Sequence, residues 1–144
     1  MRSPAGGDEF ERWYTDHYRR LVAAMYLVTG NRSAAIDAVD EACAKAFERW
    51  SRVRTMQSPT GWTWVVARNA LRTAMRADRR RAAAIHRVAS EASVPPPDMA
   101  VEVWDAVRRL PKRECEVVAL RYLGGMQEHE IAESLNIAPG NVAR

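Results

Sequence analysis

The sequence predicts an all-α protein built as two small helical domains. Apolar residues recur at helical spacing through most of the chain, and no stretch shows the strict alternation of a half-buried strand. One proline-rich segment, Glu91 to Asp98 (EASVPPPD), separates the helical runs. Three consecutive prolines cannot continue a helix and favour a stiff, extended spacer. The expected layout is therefore a first domain at 8–90, a linker at 91–98 and a second domain at 99–144.

The first helix is expected from Glu9 to Thr29, where Phe10, Trp13, Tyr14, His17, Leu21, Ala24, Met25 and Val28 form one stripe. Gly30-Asn31 stops it, and Ser33 is the expected N-cap of the second helix. Ile36, Val39, Cys43, Ala46, Phe47 and Trp50 form the second stripe. Residues 51–58 lack periodicity and are expected to be a loop. Ser58-Pro59 is a cap followed by a first-turn proline, and it opens a long helix from Thr60 to about Ala89. Beyond the linker, short helices are expected at Met99 to Arg109, Lys112 to Leu123 and Glu128 to Leu135, with a fragment from Pro139. Gly124-Gly125 and Asn136 supply the stops between them.

Composition excludes several classes. The 144 residues are 47% hydrophobic and 28% charged, the balance of a folded soluble protein. The longest apolar runs, such as Leu21 to Val28, are far shorter than a membrane span, and the charged N-terminus lacks the apolar core of a signal peptide. With only Cys43 and Cys115 there is no disulfide framework, so a cytoplasmic protein is expected. Both cysteines fall on apolar stripes as small core residues. The histidines and cysteines are scattered without metal-ligand spacing, and no nucleotide-binding or nucleophile-elbow motif occurs. Neither an enzyme nor a metal or other cofactor is expected.

Charge is unevenly placed. Residues 1–90 carry 16 Lys+Arg against 9 Asp+Glu, whereas residues 91–144 carry 6 against 9. A basic first part suggests a polyanion partner. Arg68, Arg72, Arg76 and Arg79 to Arg81 recur every three or four residues, so several share one helical face able to track a phosphate backbone. A solvated face is the plainer alternative, but only Asp78 offsets the charge. Trp62 and Trp64 lie upstream on the same helix. Trp62 is expected in the core, and Trp64 is the better candidate for stacking on unpaired bases.

Three ordered stretches resemble the extracytoplasmic-function sigma factors, promoter-specificity subunits of bacterial RNA polymerase, here of the actinobacterial SigE-like type. AAIDAVDEACAKAFERW (34–50) is similar to the family's polymerase-docking helix, with Asp40 where Gln is usual. GWTWVVARNALRTAMRADRRR (61–81) resembles the minus-ten helix: Trp62, Ala67, Asn69 and Arg76 match, while Thr63 and Thr73 depart from the usual Leu and Asp. LPKRECEVVALRYLGGMQEHEIAESLNIAPGNV (110–142) resembles the helix-turn-helix of the second domain. The resemblance implies a region 2-like bundle at 8–90 and a region 4-like domain at 99–144, with core RNA polymerase and promoter DNA as partners and room for an anti-sigma factor. It implies core docking through Asp37, Asp40 and Glu41. It also implies a base-capturing loop at 52–58, with Arg52, Arg54 and Gln57 as contacts. Trp64, Arg68, Asn69, Arg72 and Arg76 are then expected to hold the melted strand.

The recognition helix of the second domain has six residues in this sequence, from Pro139 to Arg144, roughly 9 Å. Gly140, Asn141 and Arg144 are the expected contacts to the minus-thirty-five element. With Val142 as the one strong apolar anchor, Ile131 and Leu135 are expected to be partly uncovered, and binding to that element weak. A promoter-directing sigma factor is the leading reading. An interaction protein that occupies the polymerase or an anti-sigma factor without selecting promoters is the second. A regulator using its helix-turn-helix alone has no use for Asn69 and ranks third.

Overall fold

The computed structural model describes residues 4–84 and 100–137, with side chains over 6–78 and 100–137. The proline-rich linker and the fragment from Pro139 lie outside the described residues. Seven α-helices occur among those described: α1 (Pro4–Thr29), α2 (Arg32–Glu48), α3 (Trp50–Val53), α4 (Pro59–Ala84), α5 (Val101–Arg108), α6 (Lys112–Val118) and α7 (Glu128–Leu135). A π-helical turn, Ala119–Leu123, continues α6. No described residue is in a strand. None of these helices is long and apolar enough to cross a membrane.

Helices α1, α2 and α4 pack on one another as the first unit. The inner face of α2 is Ala35, Ala38, Val39, Ala42, Cys43 and Ala46. These small residues recur at three and four, which lets the neighbouring helices approach closely. Phe47, expected on this face, is instead 59% exposed. It sits one residue past Ala46, about 100° around the helix, and its ring meets Phe10 edge-on at 5.1 Å at the rim of the core.

The helix boundaries follow local chemistry. Gly30, at φ 75°, ends α1. Asn31, and not the expected Ser33, caps α2: its Oδ1 accepts the Ala34 N–H at 3.0 Å. The expected loop at 51–58 begins with the short helix α3, completed when Val53 and Arg54 donate to the carbonyls of Arg49 and Trp50. Ser58 is the cap expected for α4, its Oγ accepting the Gly61 N–H at 2.9 Å. In the second unit, Gly125 at φ 69° and Asn136 at φ 56° close the π turn and α7. Both fall where those stops were expected, because the left-handed region is open to Gly and tolerated by Asn.

The two units share one core. Leu21, Met25, Trp64 and Leu71 belong to the same buried cluster as Trp104, Leu120, Ile131 and Leu135. The α6 and π-turn segment lies on α1, and α7 lies on α4. Ile131 and Leu135 are therefore 0% and 3% exposed, not partly uncovered as expected. Packing between the units supplies burial that the second unit was expected to lack.

Candidate nucleic-acid interface

Helix α4 carries most of the expected site, and its faces differ in kind. Thr60, Trp64, Ala67 and Leu71 recur at helical spacing and are buried. Trp13 Nε1 donates to Thr60 Oγ1 at 3.1 Å and ties the start of this face to α1. The face explains a reversal. Trp64, expected to face DNA, is 0% exposed and donates its Nε1 to Glu116 Oε2 at 2.7 Å. Trp62, expected in the core, is half-buried beside a pocket. Trp64 shares the register of Ala67 and Leu71, which takes it inward; Trp62, two residues earlier, lies on another side.

The arginines divide between the two units and solvent. Arg68 lies within the interface, where Nη1 meets Glu116 Oε2 at 3.1 Å. Its Nε is buried without a hydrogen-bond partner among the described residues. Arg72 and Arg76, each four residues further along, are exposed. The side chains of Arg79 to Arg81 lie outside those described. Asn69 is exposed at a groove of about 530 Å³ between α2 and α4, with Glu41, Lys45 and Arg49 on its other wall.

The segment before α4 is held from both sides. Arg52 is exposed on α3, and Arg54 Nε pairs with Glu9 Oε1 at 2.5 Å. With its amide oriented to donate, Gln57 reaches Glu133 Oε2 at 2.7 Å. Ser58 Oγ donates to Glu130 Oε2 at 2.8 Å. A pocket of about 390 Å³ is left between Met56, Gln57, Trp62 and Val65 on one side and Glu133 and Ser134 on the other. Sequence reasoning missed Glu116, Glu130 and Glu133. The signal for Glu116 was its place four residues before Leu120, on the inward face of its helix.

The acidic residues of α2 form a separate surface. Asp37 and Glu41 are exposed along a groove of about 380 Å³ that also takes in Asp78. Glu41 pairs with Lys45 at 3.3 Å. Asp40 accepts the Tyr18 hydroxyl at 2.6 Å. Burial pushes the Tyr18 pKa up, and the bond to Asp40 adds to the shift. Burial, and then the charge of Asp40, push the Cys43 thiol up to about 12. The thiol is thus an inert core group. Gly140, Asn141 and Arg144 lie outside the described residues.

Comparison with known proteins finds two family models in the chain. Residues 13–81 match the family model "Sigma-70 region 2", and residues 100–144 match "Sigma-70, region 4". The chain belongs to the sigma-70 family. Its fold is similar to that of the sigma factor RpoE from Bartonella quintana, solved in complex with the anti-sigma factor NepR. The TM-score is 0.73 at 18% identity, over 94% of this chain and 88% of that one. No curated protein matches the sequence. The matched segments of this sigma factor are the two units that meet across Trp64, Arg68 and Glu116.

Proposed function

We propose that this sigma factor docks on core RNA polymerase through Asp37, Asp40 and Glu41 and holds the melted minus-ten strand along α4. It acts in transcription initiation by directing promoter recognition and opening, without covalent chemistry of its own. Arg72, Arg76 and Asn69 form the strand-binding face in this reading. Arg52, Arg54 and Gln57 serve the base-capturing loop, and Gly140, Asn141 and Arg144 serve the upstream element. Trp64 is assigned to packing in the conformation described, since its ring is buried.

The observation that carries the reading is the pair Arg72 and Arg76. They are exposed one helical turn apart, and neither is in an ion pair among the described residues. Unneutralised arginines at that spacing suit successive phosphates, each released counterion adding salt-dependent affinity. The two-unit layout favours the extracytoplasmic-function type and action in the cytoplasm, where the polymerase is found. The Arg- and Ala-rich composition is in keeping with the actinobacterial SigE-like subtype. The likeness to a sigma factor held by NepR makes an anti-sigma factor a reasonable further partner.

One observation favours the second reading, an interaction protein that occupies polymerase without selecting promoters. Helix α7 stands over Gln57 and Ser58. Run-off transcription with core polymerase separates the two. Promoter-dependent transcripts of defined length support the sigma reading, whereas tight polymerase binding with no transcript on any template of a genomic promoter library supports the other.

A further inference from the structure

Asp37, Glu41, Lys45 and Arg49 follow one another at intervals of four along α2 and its C-cap, and the sign of charge changes halfway. The row forms one wall of a continuous groove whose other wall is α4. Asp37 and Glu41 line the part of about 380 Å³, and Glu41, Lys45 and Arg49 the part of about 530 Å³. Glu41, Ala70 and Ala74 line both. The two helices run in opposite directions, so Asp37 shares its end with Asp78, and Arg49 shares the other with Val66 and Asn69. The described lining residues all belong to the first unit, and the groove is open to solvent where the two units meet as described. Its acidic end belongs to the docking surface already proposed; its basic end has no role yet.

We propose that Lys45 and Arg49 form a phosphate-binding site for the nucleic-acid strand on the α2 side of Asn69. The inference rests on the sigma reading of the preceding section and carries its strand-binding face from α4 onto α2. Arg49 is exposed and is in no ion pair among the described residues. Lys45 pairs with Glu41 at 3.3 Å, both side chains about half exposed. Such surface pairs contribute little, so the ammonium can turn to a phosphate at small cost.

The α4 wall places these cations beside the face already assigned. Asn69 and Thr73 are exposed on it, one turn apart. Arg76 follows Asn69 by seven residues, about two turns, and so shares its side of the helix. Asn69 therefore stands between the α4 arginines and the α2 cations. A strand laid over Asn69 has cations on both sides, as a backbone with a charge at every phosphate requires. A plainer role exists, since cations near a helix C-terminus complement its dipole. That role predicts lost stability with strand binding unchanged, which separates the two.

The test uses a fluorescein-labelled, single-stranded 20-nucleotide DNA pool of mixed sequence, read by anisotropy. It is bound by the full chain alone and by its complex with core polymerase, with core alone as the blank. Lys45→Gln/Arg49→Gln should weaken binding about tenfold in low salt and lower the salt slope by about one. Gln is as good a helix former, so the thermal midpoint should stay near the parent's. Lys45→Arg/Arg49→Lys should restore both affinity and slope. A control, Arg12→Gln/Arg19→Gln, removes equal charge from exposed positions of α1. An equal loss there overturns the proposal in favour of bulk charge. An oligoglutamate of matched charge that binds the parent as tightly overturns the assignment to nucleic acid. Unchanged affinity and slope in Lys45→Gln/Arg49→Gln, with the strand still bound, overturns the site and leaves the sigma reading intact. So does a parent that directs run-off transcription yet binds the pool in neither form. Failure of every form to bind the strand, together with failure of run-off transcription, removes the sigma reading and this inference with it.

Discussion

Replacing Trp104 by Ala should destabilise the first unit, although the side chain belongs to the second. Trp104 is 0% exposed, and its ring lies 5.0 Å from that of Tyr26 on α1. An indole buries roughly 200 Å². At about 25 cal/mol per Å² its removal forfeits about 5 kcal/mol, close to the roughly 3–5 kcal/mol typical of such truncations. With a urea slope of about 1–3 kcal/mol per molar, the unfolding midpoint should fall by about 2 M. The assay has an internal reporter. The chain has five tryptophans, and once Trp104 is gone the other four, Trp13, Trp50, Trp62 and Trp64, all lie in the first unit. If the core is shared, their fluorescence transition should move with the far-UV circular dichroism transition, as one two-state step. The reasoning is refuted if the main fluorescence transition keeps the parent midpoint while circular dichroism loses part of its amplitude early.

Other outcomes follow from the same geometry. Asp37→Lys/Glu41→Lys should weaken binding to core polymerase by tenfold or more, because a like-charge contact costs several kcal/mol; a titration giving the parent affinity removes these residues from the docking surface. Arg72→Ala/Arg76→Ala should weaken single-strand binding and lower its salt slope by about one to two, with helix content kept, and an unchanged slope would leave those arginines merely solvated. Cys43, held at about 12, should resist iodoacetamide at pH 8 in the native state and react on unfolding. Because its folded pKa is raised from 9.0, the contribution to stability is present below pH 9 and declines between pH 9 and 12. Alkylation of native Cys43 at the rate of a free thiol would contradict its burial.

Helix existence and most stops were legible because they depend on local chemistry. Ser58-Pro59, Gly30, Gly125 and Asn136 act through caps and backbone freedom that neighbouring residues specify. The depth of each apolar residue was less legible. Phe47 and Ala46 both fit a helical stripe, and only the partner helices decide that Ala46 faces inward. For α4 the deciding register was present in Trp64, Ala67 and Leu71, yet the aromatic pair at 62 and 64 was assigned the other way round. Helical spacing says which residues share a face; it does not say which face meets a second unit.

The acidic surplus of residues 91–144 shows the same limit at larger scale. On sequence alone it is a property of the second domain by itself. In the folded chain, Glu116, Glu130 and Glu133 meet Trp64, Arg68, Ser58 and Gln57, so part of that surplus is the complement of the first unit. A basic surface attracts any carboxylate tethered nearby, and tethering raises the local concentration of that carboxylate. The linker makes the encounter intramolecular, and the shared apolar core makes it persist. The charge asymmetry therefore bears on how α4 meets the rest of its own chain. How firmly the units hold is set by the burial of Ile131, Leu135 and Trp64 in that shared core.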